Sequence, residues 1–173
     1  MNDKSVKRIV LAALFAALTC VATMIIRIPV PGTGGYVHPG DALVILCGIF
    51  LGSVPGLLAA GIGSALADLL GGYFIYIPIT FVVKGLVALL AGLVYQKATE
   101  SGMSRYLAVV IGGVIDIIIV AVGYFLPECG LYGTAAAAAS IIPNIIQGVS
   151  GLILAVVLYP VLHKALKGIR SAA

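Results

Sequence analysis

Two charges interrupt long apolar runs in this 173-residue chain, Lys84 and Asp116. Each lies about ten residues from the same end of its run, so in a helix both sit near ~15 Å depth. Alone at the centre of a bilayer, either would cost roughly 2.5–3.5 kcal/mol. Equal depth and opposite sign predict that they meet as an ion pair, either purely structural or in contact with a ligand. Asp68 closes the preceding run, within reach of the long Lys84 stem. Asn144, Gln147, Gly148 and Gly151 recur at steps of three and four and so share one helical face. The amides offer donors and acceptors to a heterocycle or to another helix, and the glycines permit close approach. Tyr36, Tyr73, Tyr76, Tyr124 and Tyr132 fall near breaks in the apolar pattern, as do His38 and Glu128. Such tyrosines either form an interfacial belt or stack on a flat ring and donate a hydrogen bond to it.

The elements that must position these groups are helices. Apolar residues make up 62% of the chain and charged ones 9%. A soluble domain carries about 25% charge, so most of this surface must face lipid. The pattern predicts an all-α integral membrane protein, a single domain of six spans at about 6–27, 40–52, 54–71, 74–97, 105–126 and 142–167. The first is an uncleaved span rather than a signal peptide. The second is short for a span, and Asp41 is its natural first residue. A Pro- and Gly-rich loop precedes it, Ile28 to Pro39, and a second long loop holds Pro127, Glu128, Cys129 and Gly130. Pro143 is expected in the first turn of the last helix, with Ala135 to Ala139 either a separate short helix or its kinked extension.

Six spans alternate sides. Lys4, Lys7, Arg8, Lys97, Arg105, Lys164, Lys167 and Arg170 then share one side, and Arg27 alone marks the other. The positive-inside rule puts both termini in the cytoplasm and the tyrosine-bearing loops outside. The net charge of +4 is therefore topological and does not imply nucleic-acid binding.

Several function classes are excluded. No GxxxxGK[ST] is present to cradle ATP phosphates, and no HExxH to hold zinc. Cys20, Cys47 and Cys129 show no metal-ligand spacing. Ser150 has no histidine at its depth. The chain reads as neither an enzyme nor a cofactor or metal carrier. A solitary secondary transporter or facilitator for a small aromatic heterocycle is an alternative, although it would call for an internal repeat that the two halves lack.

Ala12, Ala13, Ala16 and Ala17 form a doubled small-xxx-small strip that another helix could pack against. With that strip, the stretches GDALVILCGIFLGSVPGLLAAGIGSALADLLGG (40–72), FVVKGLVALLAG (81–92) and IPNIIQGVSG (142–151) are similar to the substrate-binding S component of energy-coupling factor (ECF) vitamin transporters. The resemblance spans nearly the whole chain. It is nearest to the riboflavin-type group, which includes proteins for hydroxymethylpyrimidine and pyridoxine. It implies capture of a vitamin at the outer face of a prokaryotic plasma membrane. The loops around Tyr36–His38, Gly71–Tyr76 and Glu128–Tyr132 would close over the ligand, as would Asp68 and Asp116 if they face it. Lys84 matches a lysine of the fourth helix, and Asn144 and Gln147 the polar face of the last. The alanine strip would dock on a separate membrane coupling subunit, powered by two ATPase subunits. The chain has no Trp, so tyrosines would supply the stacking.

Overall fold

The computed structural model describes residues 3–171, with side chains described for 5–167; those of Lys4 and Arg170 lie outside that range. The described chain forms six α-helices and one small hairpin. They are α1 (Asp3–Ile25), β1 (Ile28–Pro29), β2 (Tyr36–Val37), α2 (Asp41–Leu51), α3 (Ser53–Gly71), a 3₁₀ turn (Phe74–Tyr76), α4 (Ile77–Glu100), α5 (Arg105–Tyr132) and α6 (Thr134–Ser171). The strands pair antiparallel, with Ile28 opposite Val37 and Pro29 opposite Tyr36.

Five helical stretches are long and apolar enough to cross a bilayer; α2, with eleven residues, is not. At about 1.5 Å per residue α2 covers about 16 Å, roughly half a hydrocarbon core. The segment before it folds into the bundle instead of lying across its mouth: Val30, Val37, His38 and Gly40 are buried, and Asp41 is fully so. Irregular backbone at that depth is tolerated only where protein satisfies its polar groups. Here the Gln147 side chain accepts from the His38 N–H at 2.9 Å, and His38 Nδ1 accepts from the Gly40 N–H at 3.1 Å.

α2 is the hub of the packing, touching α1, α3, α4, α5 and α6. Its Gly48 presses against the Ala88 carbonyl and Gly92 of α4, and Gly56 of α3 rests on Gly48. The small residues let backbones approach where lipid supplies no hydrophobic drive between helices. On α1, Ala12 and Ala16 are half-buried, Ala16 under Gly63 of α3, whereas Ala13 and Ala17 are exposed.

The molecule is apolar outside and polar inside. Val10, Val21, Leu70, Ile118 and Val157 are each more than half exposed, while Asp41, Asp68, Lys84, Asp116 and Glu128 are buried. Only a lipid surround favours that inversion.

Two expected boundaries move far. The second long loop is helix: α5 runs on through Pro127 to Tyr132, and α6 starts at Thr134 rather than 142. Gly133 alone makes the turn, at φ +84°, where only glycine sits without strain. Pro127 removes one backbone donor and does not end the helix, and Ala135 to Ala139 are strong helix formers that join the last helix directly. Pro143 therefore lies inside α6, not in its first turn. Lesser shifts are the end of α1 at Ile25 instead of 27, the 3₁₀ turn before α4, and the end of α4 at Glu100 instead of 97.

Candidate functional site

The hairpin, the 3₁₀ turn and the α5–α6 turn meet at one end of the bundle. Beneath them is a small cavity lined by Val30, Gly35, Tyr36, His38, Asp68, Tyr76, Thr80, Tyr124, Glu128 and Asn144. It encloses about 20 Å³, room for about one water molecule.

Its roof is aromatic. Tyr36, on β2, lies with its ring centroid 4.4 Å from that of Tyr73 and 5.6 Å from that of His38. The Arg27 guanidinium sits 5.7 Å from the Tyr36 ring and 5.9 Å from the Tyr73 ring, within cation–π range. Tyr76 stacks on Tyr132 at 6.5 Å and tilts against Tyr124 at 6.2 Å. Gly34 and Gly35 make this possible: a Cβ at either would crowd the hydroxyl of Tyr132 or of Tyr76.

Two roof hydroxyls are anchored to wall carboxyls. Tyr36 donates to Asp68 Oδ1 at 2.8 Å, and Tyr76 donates to Glu128 Oε1 at 2.9 Å. Ser140 of α6 donates to the other oxygen of Glu128. Burial and then the Asp68 carboxyl push the Tyr36 phenol upward, so it stays protonated and donates. Thr80 and Tyr124, both lining the cavity, share a hydrogen bond at 3.0 Å. Asn144 faces the same space, and its amide makes no side-chain hydrogen bond among the described residues.

Under the cavity is an ionic floor. Lys84 Nζ donates to Asp41 Oδ1 at 2.6 Å, both side chains fully buried. Gln147 Nε2 donates to Asp41 Oδ2 at 2.8 Å, and the same amide holds the His38 backbone. Lys84 Nζ also lies 5.5 Å from the Tyr124 ring centroid. His38, in the segment between α1 and α2, has its pKa pushed down to about 4. Burial dominates, the Asp41 charge opposes it and the Lys84 charge adds to it. It is therefore neutral near pH 7, as an imidazole that accepts at Nδ1 must be.

The expected Lys84–Asp116 pair does not form. Lys84 is held by Asp41, and both oxygens of Asp116 are buried without a hydrogen-bond partner among the described residues. Equal depth did not bring the two together, because the buried start of α2 puts another carboxylate beside the lysine. Nor does Lys84 line the cavity; the Tyr124 ring lies beside it and forms the wall. Of the other candidates, Tyr36, His38, Asp68, Tyr76, Glu128 and Asn144 line the cavity, Tyr73 and Tyr132 back its roof, and Gln147 sits behind His38. Glu128 and Tyr132 reach it from the end of α5, not from a loop. Reasoning from sequence missed Asp41 as an ion-pair partner, Thr80 as a wall group and Ser140 as a partner of Glu128. The only available signal for Asp41 was that a run too short to span the bilayer follows it.

Comparison with known proteins agrees with this architecture. A solved structure of the S component of a bacterial ECF transporter superposes with a TM-score of 0.67 over 94% of this chain and 99% of that one, at 20% identity. The thiamine precursor transporter HmpT of Lactococcus lactis subsp. cremoris is 30% identical, over 99% of this chain and 98% of its own. An uncharacterised protein of Pyrococcus woesei is 36% identical over 78% of this chain and 86% of its own. The family model for the S component of ECF-type riboflavin transporters matches residues 3–164. With a lipid-facing surface, buried charges and a match over nearly its whole length, this chain belongs to the ECF-type riboflavin transporter S component family and is a multi-pass protein of the cell membrane.

Proposed function

We propose that the chain captures a small aromatic vitamin precursor, of hydroxymethylpyrimidine or pyridoxine type, in the cavity under Tyr36 and Tyr76. The observation that carries this reading is the cavity itself: a buried polar chamber with tyrosine rings above it and hydrogen-bonding groups along its walls. Aromatic faces stack on a flat heterocycle while the polar groups fix its orientation. The likeness to a thiamine precursor transporter over both full lengths supports a ligand of that size. The enclosed space is far smaller than such a ring, so Tyr36 and Tyr76 must swing aside for entry and close behind it. Tyr36 rides on the hairpin, and Tyr76 ends the 3₁₀ turn that leads into α4.

The cavity faces outward in this reading. Lys7, Arg8, Lys97, Arg105, Lys164 and Lys167 are exposed at the opposite end of the bundle, which the positive-inside rule assigns to the cytoplasm together with both termini. Without nucleotide-binding machinery of its own, the chain delivers its cargo with an ECF coupling subunit and two ATPase subunits. Ala13 and Ala17, exposed on α1, and the flanking Ala12 and Ala16 offer that subunit a flat strip.

The test is a thermal-shift panel on purified protein with hydroxymethylpyrimidine, pyridoxine, thiamine and riboflavin. Ligand at about 100 times its dissociation constant stabilises by about 2.7 kcal/mol. The two small rings are expected to raise the melting temperature most. No shift with any of the four would overturn the reading.

A further inference from the structure

Among the described residues, the walls of the cavity carry carboxyl groups and no free cation. Lys84 is spent on Asp41, and Arg27 lies over the outer rings of Tyr36 and Tyr73. Glu128 is satisfied on both oxygens, by Tyr76 and Ser140. Asp68 is not. It is 3% exposed, its Oδ1 accepts from Tyr36, and its Oδ2 is buried without a hydrogen-bond partner among the described residues. Thr80, also on the cavity wall, hydrogen-bonds Tyr124 at 3.0 Å, and it neighbours the Asp68 carboxyl without forming a hydrogen bond to Oδ2. A buried acceptor left unpaired is costly, and one facing a binding cavity selects for a ligand that completes it.

We infer that Asp68 is the specificity-determining residue of this cavity, its Oδ2 accepting a hydrogen bond from an N–H donor on the ligand ring, an exocyclic amino group in the first instance. The inference rests on the reading above that the cavity takes a small aromatic ring. Asn144, another uncommitted polar group of the wall, can donate to a ring nitrogen beside that amine, so together they match the donor–acceptor edge of an aminopyrimidine. A ring of the same shape without the amine leaves Asp68 Oδ2 buried and unpaired in the complex. Hydrogen bonds to charged groups set the expected discrimination at about 10- to 100-fold.

Calorimetric titration of the purified full chain with two probes tests this: an aminopyrimidine bearing a hydroxymethyl group, and the same ring with hydrogen in place of the amine. The wild type is expected to prefer the amine at least about 10-fold, and Asp68→Asn to bring the ratio of affinities near one. Asp68→Ser stands in if the asparagine variant does not fold, with the same two outcomes. Equal affinity of the wild type for both probes overturns this inference alone. So does a preference that survives in the Asp68 variants. Binding of neither probe overturns the cavity reading and this inference with it.

Discussion

Lys84 and Asp41 show how a membrane protein retains a charge in its interior. Each is fully buried, they meet at 2.6 Å, and Gln147 takes the second carboxylate oxygen. Removing one partner of such a pair strands the other and costs about 3–5 kcal/mol, whereas replacing both with neutral groups of similar volume is often nearly neutral. Lys84→Ala should therefore lower the melting temperature of the detergent-purified protein strongly, and Lys84→Met with Asp41→Asn should recover much of the loss. Asp116 is the control. Its carboxyl has no hydrogen-bond partner among the described residues, so Asp116→Asn should change stability by less than about 1 kcal/mol. Thermal unfolding of the four proteins side by side measures this. A loss in Asp116→Asn equal to that in Lys84→Ala would return Asp116 to the role of partner.

At the level of elements, α2 decides how the site is built. It is too short to span, so its first residue is inside the bundle and the Pro- and Gly-rich segment before it must descend to meet it. The existence of the helices was legible in the apolar runs, and most of the cavity-lining residues were legible as polar or aromatic groups at the ends of those runs. What was not legible depends on three-dimensional placement. Asp41 reads locally as an ordinary helix start, and only the depth of α2 makes it an ion-pair partner. Pro127 reads as a helix end, yet the helix continues to Gly133, which carries Glu128 and Tyr132 onto the cavity from α5. The depth of α2 rests on its seam with α4. A methyl at Gly48 would overlap the Ala88 carbonyl, a backbone group that cannot turn away. Gly48→Ala should cost at least about 3 kcal/mol, the upper range of overpacking, and loosen the floor of the site. Gly130→Ala, at an open helical position of α5, should instead be neutral or gain up to about 1 kcal/mol. Equal melting temperatures for the two variants would mean that the α2–α4 seam is not close-packed.

For the whole molecule, charge is distributed by depth and by end. Among the described residues, the cavity end carries the half-buried Arg27 beside the tyrosines, whereas the far end gathers the basic residues and an aromatic cluster of Phe50, Tyr95, Tyr106, Tyr159 and His163. Arg105 approaches His163 at 3.3 Å, tying the start of α5 to the end of α6 there. In the proposed orientation the basic end is cytoplasmic, by the positive-inside rule, and the tyrosine roof turns toward the medium. Cys20 and Cys47 are buried, so a Cys129→Ala background leaves little thiol reactivity of its own. In that background Pro31→Cys, exposed on the hairpin, should react with a membrane-impermeant maleimide on intact cells. Ser101→Cys, exposed between α4 and α5, should react only once the membrane is opened. The reverse pattern would put the cavity on the cytosolic side, where it could release a vitamin precursor but could not capture one from outside.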